Sequence, residues 1–216
     1  KYYFGRKLIG EVLLPDAKKR NVFSSEDPFE LYRRWRKEAS ASEINDPDAI
    51  ALATVDFYGL PNVRMVLLRV LENDGFVFFT NYSSAKGMEI ESSGKVAFVS
   101  HWKSIRRQVR VRGVIAKDSS ELSEKYFSQR PLGSRIGAWA SKQSSKLENK
   151  EVLLTKIRKL SKDLGQNPAK PSFWGGFRIK PLEMEFWSDG AYRVHDRFLW
   201  KRASLDADWS IDRLSP

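Results

Sequence analysis

The side chains best suited to chemistry in this 216-residue chain are cations set singly among apolar residues. The most informative run is Phe186-Trp187-Ser188-Asp189-Gly190-Ala191-Tyr192-Arg193-Val194-His195-Asp196-Arg197. An aromatic pair leads into an Asp-Gly turn, and Arg193, His195 and Arg197 then recur at every second position. Alternate residues of a strand share a face, so this spacing predicts one row of two guanidiniums and an imidazole. Such a row repels itself when the imidazole is charged, and it suits a grip on an anionic or electron-rich ligand.

Five further constellations stand out. Arg64 and Arg69 bracket the apolar residues Met65, Val66, Leu67 and Leu68. Five positions apart on a strand they face opposite sides, either serving two anions or snorkelling at the strand ends. Phe79-Thr80-Asn81 runs into Ser83-Ser84-Ala85-Lys86-Gly87, a helix start with a cation in its first turn, which fits either a phosphate seat or an ordinary capped helix. Gln108 sits among Arg106, Arg110 and Arg112 on one face of an alternating strand, where its amide is able to read a heterocycle edge. Tyr126 and Arg130, four apart on a helix, lie near Ser134 and suit a phosphate monoester. Gly137–Ser145, which contains Trp139, Gln143 and Ser144, shows no obvious structural purpose and suits close approach of a ligand or subunit.

The elements that must position these groups follow from periodicity and turn residues. Residues 1–26 read as a basic arm, mobile or docking. Asp27-Pro28 opens a helix that fades near Ser40, with Asp27 as N-cap. Strands are predicted at 49–56, 62–70, 75–80, 95–102 and 105–116, and helices at 83–92, 119–129 and 147–164. The last strands are placed at 176–179, 183–187, 193–201 and 209–212. Hairpin-linked strands with few interposed helices argue for a mainly β, α+β fold with an antiparallel sheet or barrel, carried by a single domain over 27–216.

Composition narrows the class. A hydrophobic content of 41% is that of a globular chain. The net charge of +11 attracts polyanions, but the aromatic residues lie inside apolar segments and are not interleaved with lysines, so nucleic acid is the weakest partner reading. With no cysteine and two distant histidines, a metal site is not expected, and a reducing, cytoplasmic setting fits. No apolar run has the length of a membrane span.

Taken in order, the motifs RMVLLR (64–69), FFTN (78–81), RRQVRVRG (106–113), YFSQRP (126–131), GSRIGAWASKQSS (133–145), SFWGGFRIKP (172–181), EFW (185–187), RVHDRF (193–198) and DRLSP (212–216) resemble the pyridoxine/pyridoxamine 5′-phosphate oxidase family. The resemblance implies a split β-barrel homodimer with FMN at the subunit interface. It implies oxidation of pyridoxine or pyridoxamine 5′-phosphate to pyridoxal 5′-phosphate, with O2 as acceptor and H2O2 as product. It gives Arg64 and Lys86 to the FMN phosphate, and Met65, Val66, Leu67, Phe79, Thr80 and Gln108 to the flavin site. Gln143 and Ser144 would reach the flavin site from the other subunit, with Trp187 and Arg197. Arg69, Tyr126, Arg130 and Ser134 would hold the substrate phosphate. Arg193 and His195 would sit over the pyridine ring as the catalytic pair.

Three departures from the family pattern matter. Arg69 replaces a usual lysine, which changes the geometry of phosphate contact. Ala85 stands where the family has a second cation beside Lys86, so weaker FMN retention is expected. The family's N-terminal Arg-x-x-Tyr has no clear counterpart beyond Tyr2 or Tyr3. The first two departures motivate an alternative reading, a repurposed split-barrel protein that binds flavin or a B6 phosphate without oxidase activity.

Overall fold

The computed structural model describes residues 22–72 and 74–216. Most of residues 1–26, with Tyr2 and Tyr3, therefore lies outside the described residues. Val22 and Phe23 pack against the core. The carbonyl of Val22 accepts from Trp35 Nε1 at 3.1 Å, and that of Glu26 accepts from Trp200 Nε1 at 3.2 Å.

Helix α1 (Pro28–Ser40) begins where Asp27 accepts the Phe29 amide and proline occupies the first turn. Its apolar stripe buries Phe29, Leu31, Tyr32, Trp35 and Ala39. Phe29 and Tyr32 pack on Phe76, and Trp35 meets Phe186 edge-on at 5.2 Å. Arg107 lies 4.8 Å over the Trp35 ring, so a cation covers the outer side of this buried indole.

Strands β1 (Ala49–Val55) and β2 (Pro61–Leu71) form a hairpin around Gly59, whose φ of +86° requires a residue without Cβ strain. Strands β3 (Phe76–Asn81), β4 (Lys95–Trp102), β5 (Arg107–Lys117) and β6 (Trp174–Ser188) complete an antiparallel sheet ordered β3-β2-β1-β4-β5-β6. A β3–β6 pairing closes these six strands into a barrel. Strands β7 (Asp196–Lys201) and β8 (Ser210–Leu214) continue outward from β6.

The 15-residue β6 makes this split geometry possible. Its first part pairs with β3 through Trp174–Ile179, and its last part pairs with β7 through Glu183–Ser188. The sequence expectation of two short strands there is corrected to one, because a bulge at Arg112/Gly113 lets β5 follow the bend without breaking the ladder. A Cβ on Gly113 would sit 2.2 Å from the Lys180 carbonyl, so only glycine permits that approach.

Four more helices lie between the strands: α2 (Ala85–Ser93), α3 (Ser120–Gln129), α4 (Leu132–Ala140) and α5 (Lys150–Asp163). Helix α4 corrects the reading of residues 137–145. Small residues and two glycines hid its period, and its Ile136 and Ala140 are buried. Among the described residues, no helix is long and apolar enough to cross a membrane.

Candidate active site

A cavity of about 630 Å³ opens beside β2, the end of β3 and the start of α2. Arg64, Met65, Val66, Leu67 and Arg69 line it from β2, Phe79 and Thr80 from β3, and Ala85 and Lys86 from α2. Tyr126 and Arg130 contribute from α3 and its end, Gln143 and Ser144 from the loop after α4, and Trp174 from the start of β6. The lining carries four cations and no carboxylate. Ser134 lines an adjoining space shared with Arg130, Phe79, Thr80 and Gln143.

Arg64 and Arg69 therefore reach one cavity, against the expectation from their odd spacing. The reason is a register shift between Leu68 and Val70 in the β2–β3 ladder. A bulge adds a residue at Arg69 and resets the alternation of faces. Gln143 and Ser144 of the same chain line this cavity. Ser144 takes a left-handed φ of +69° that turns the loop toward β3.

At one end of the cavity Lys86 is buried. Its Nζ lies 3.4 Å from Thr80 Oγ1 and from Ser84 Oγ, and 3.3 Å from Gln143 Oε1. Burial, and then the charge of Arg64, pull its pKa below the ordinary lysine value, while Glu89 partly offsets them. The α2 N-terminus is fixed here by Ser84, which accepts the Gly87 amide at 3.3 Å. Arg64 donates to the Leu52 carbonyl at 3.2 Å, to Thr54, and to Glu89 at 2.9 Å.

At the other end, Phe79, Tyr126 and Trp174 lie in nearly parallel planes, with Phe79 and Tyr126 centroids 4.1 Å apart. Arg130 sits 4.9 Å over the Trp174 ring, and its Nη1 is buried with no hydrogen-bond partner among the described residues. Burial, and the nearby charge of Arg69, disfavour its cationic form. An orphaned buried guanidinium nitrogen facing a second arginine is a strong demand for an anion.

Gln108, Trp187, Arg193, His195 and Arg197 do not line this cavity. Gln108, Trp187 and Arg197 stand opposite one another across β5, β6 and β7, in one row of side chains. The His195 ring packs 4.7 Å from that of Trp187, and its Nδ1 accepts the Gly190 amide at 3.2 Å. Arg197 is held by the buried Glu185 at 2.8–2.9 Å and by the Ser215 carbonyl at 2.7 Å.

The expected strand from Arg193 is corrected. Ala191–Arg193 is a 3₁₀ turn in which Tyr192 and Arg193 have φ near +60°, and β7 starts only at Asp196. Arg193, His195 and Arg197 are thus not one strand row, although all three belong to the same end of the β6–β7 hairpin. A Cβ on Gly190 would strike the Val194 carbonyl at 1.8 Å, so the chain must fold back tightly there.

Sequence reasoning passed over Asn62, Val63 and Trp174 in the lining and Glu89 beside it. Trp174 was visible only as part of the SFWGGF motif, because its role depends on stacking against α3 residues remote in sequence. Glu89 carries no local signal in the sequence, yet its side chain is only 12% exposed.

A six-stranded split barrel whose cation-lined cavity is built on β2, β3 and α2 defines a fold and site class. The chain belongs to the pyridoxamine 5′-phosphate oxidase family, whose model matches residues 37–162. The model of the pyridoxine 5′-phosphate oxidase C-terminal dimerisation region matches residues 174–216. The chain is 54% identical to the pyridoxine/pyridoxamine 5′-phosphate oxidase of Ruegeria sp. (strain TM1040), over 90% of this chain and 97% of that one. It is 55% identical to the protein of the same name from Cereibacter sphaeroides, over 90% and 98%. Among solved structures, PhzG from Burkholderia lata, in complex with tetrahydrophenazine-1-carboxylic acid, superposes with a TM-score of 0.85 at 26% identity, covering 96% of this chain and all of that one.

Proposed function

We propose that the protein oxidises pyridoxine 5′-phosphate or pyridoxamine 5′-phosphate to pyridoxal 5′-phosphate, with FMN as cofactor and O2 as final acceptor, yielding H2O2. The observation that carries this reading is one cavity lined by two pairs of neighbouring cations, Arg64 with Lys86 and Arg69 with Arg130, and by no carboxylate. Two phosphate esters meeting in one cavity need two such seats. Its volume lies within the usual range for a bound cofactor or small ligand. The names of relatives more than half identical to this chain support the same substrates.

The residues fit FMN. Arg64, Lys86 and the α2 N-terminus make an anion seat, and Thr80 and Gln143 offer polar atoms beside the apolar Met65, Val66 and Leu67. When bound, the flavin supplies a two-electron acceptor for the aminomethyl or hydroxymethyl carbon of the substrate and a route for those electrons to dioxygen. The protein supplies position and charge. Arg69, Arg130, Tyr126 and Ser134 anchor the substrate phosphate, which fixes the ring relative to the cofactor. The aromatic wall of Phe79, Tyr126 and Trp174 excludes water on one side.

Gln108, Trp187, Arg193, His195 and Arg197 enter this reading from a second copy of the chain. The split of the site residues into a cavity set and a β5–β7 set supports a homodimeric site, as does the match of residues 174–216 to a dimerisation region. In the dimer, Trp187 and Arg197 complete the flavin pocket, while Arg193 and His195 face the substrate ring. The domain over 27–216 with its basic N-terminal arm, and a cytoplasmic setting, complete the proposal.

The test is an absorbance spectrum. The purified protein reconstituted with FMN should show flavin bands that bleach on anaerobic addition of pyridoxine or pyridoxamine 5′-phosphate. Air should restore them, with one equivalent of aldehyde and of peroxide. Bound flavin that neither substrate bleaches would favour the repurposed binding protein.

A further inference from the structure

Behind the Arg64 and Lys86 seat lies a carboxylate that does not line the cavity. Glu89 is on α2, three residues after Lys86 and hence on a neighbouring part of the same helix face. Its Oε2 accepts from Arg64 Nη2 at 2.9 Å and from Thr54 Oγ1, and its Oε1 accepts from Asn62 Nδ2 at 3.0 Å. Arg64 also donates to Thr54, so the four side chains form one closed network between β1, β2 and α2. The ion pair is largely buried, with side-chain exposures of 19% for Arg64 and 12% for Glu89. Burial opposes ionisation of Glu89, but donation by Thr54, Asn62 and Arg64 more than compensates and holds its pKa below the ordinary value.

A buried ion pair is a poor means of holding a helix to a sheet, because apolar packing serves as well at a lower desolvation cost. Its position has a direct consequence for any anion in the cavity: one arginine of the seat is already partly neutralised. Resting on the reading of this cavity as the flavin phosphate seat, we propose that Glu89 is a built-in counter-ion that weakens the seat's grip on the phosphate while keeping Arg64 aimed at it. It is a positioning residue that acts through Arg64. Together with Ala85, which gives Lys86 no cation as its neighbour along the chain, it makes this seat a weak one and FMN exchangeable.

The experiment compares Glu89→Gln with the parent, both stripped of flavin, by titration with FMN and with riboflavin. The amide oxygen still accepts from Arg64 and Thr54, and Asn62 satisfies the amide nitrogen by turning its own oxygen toward it. Charge is removed while orientation is kept. FMN should bind the variant about tenfold more tightly at low salt, a gain that shrinks as ionic strength rises. Riboflavin, which has no phosphate, should bind both proteins alike.

Equal or weaker FMN binding by a cooperatively melting Glu89→Gln overturns the proposal. Parallel changes for FMN and riboflavin, which a merely structural role would produce, overturn it too. A parent that does not prefer FMN to riboflavin removes the seat itself, and the functional reading falls with it. If Glu89→Gln does not fold, Glu89→Met, which removes the charge at similar volume and also Arg64's acceptor, should still bind FMN more tightly at low salt, by less than about tenfold, with riboflavin binding unchanged. Loss of a cooperative melt in both variants makes Glu89 a fold residue and ends the proposal.

Discussion

At the scale of single residues, the cavity's cations differ in how far local partners satisfy them. Arg130 is the clearest case, since its buried Nη1 has no hydrogen-bond partner among the described residues and a second arginine faces it. Arg130→Ala should raise KM for pyridoxine 5′-phosphate about 100-fold, the equivalent of losing a charge-assisted contact of roughly 2–3 kcal/mol, with a much smaller change in kcat. Steady-state kinetics with saturating FMN reads this split, and an equal fall in kcat would move Arg130 from phosphate anchoring to the chemical step.

Lys86 sets a pH dependence with a definite sign. Its pKa is lowered in the folded protein by burial and by Arg64, so it loses its proton earlier than an ordinary lysine as pH rises. Below that lowered value the seat is fully charged. Above it, FMN binding must recapture a proton, so affinity should fall by up to about one decade per pH unit. Titrations of FMN in steps upward from neutral pH should show the fall, and Lys86→Met should flatten it. For the ligand-free protein the sign is reversed. The unfolded chain keeps this proton to a higher pH, so Lys86's contribution to stability rises as pH climbs through the interval between the two values.

At the scale of elements, local grammar accounts for most of what was legible. The Asp27-Pro28 start of α1 and the alternation of β5, with Val109 and Val111 inward and Arg110 and Arg112 outward, are encoded within a few residues, and both appear where expected. Features that depend on a neighbour were not legible. The Arg69 bulge exists because β2 must match β3 across the ladder, and the 3₁₀ turn at 191–193 exists because Gly190 folds back onto Val194. Helix α4 lacks a side-chain cap and follows Pro131, so its start carries no sequence signal beyond the proline.

Gly87 tests the element that presents Lys86. A Cβ there would meet the Tyr82 carbonyl at 2.0 Å, so the start of α2 seats directly on the end of β3. Gly87→Ala should cost about 2 kcal/mol or more, read as a drop in Tm, and should weaken FMN binding in the same variant because Lys86 moves with the helix. A full-strength FMN complex with an unchanged Tm would show that α2 shifts without consequence for the seat.

At the scale of the whole molecule, the barrel separates two sets of groups that the proposed chemistry needs together. Arg64, Lys86 and Arg130 line the cavity, whereas Trp187, His195 and Arg197 occupy the β6–β7 end. A dimer that joins one set to the partner's other set predicts complementation. Arg64→Ala and Arg197→Ala should each be nearly inactive alone. Co-expressed, they should recover about a quarter of parental activity, because half the dimers are mixed and each mixed dimer keeps one intact site. No recovery in dimers verified as mixed would mean that each site is built from a single chain.

The sequence by itself determined the helix caps, the strand alternation, the antiparallel class and the family, because each is written in local spacing or in long ordered motifs. Only the tertiary structure decided that Arg64 and Arg69 share one cavity, that the Arg193, His195 and Arg197 row is broken by a turn, and that Glu89 shadows Arg64. Those facts come from bulges, close backbone approaches and contacts between residues far apart in the chain. Spacing along a chain fixes which way a side chain points only while the ladder stays regular, and at the bulge and at the hairpin end of this site it does not.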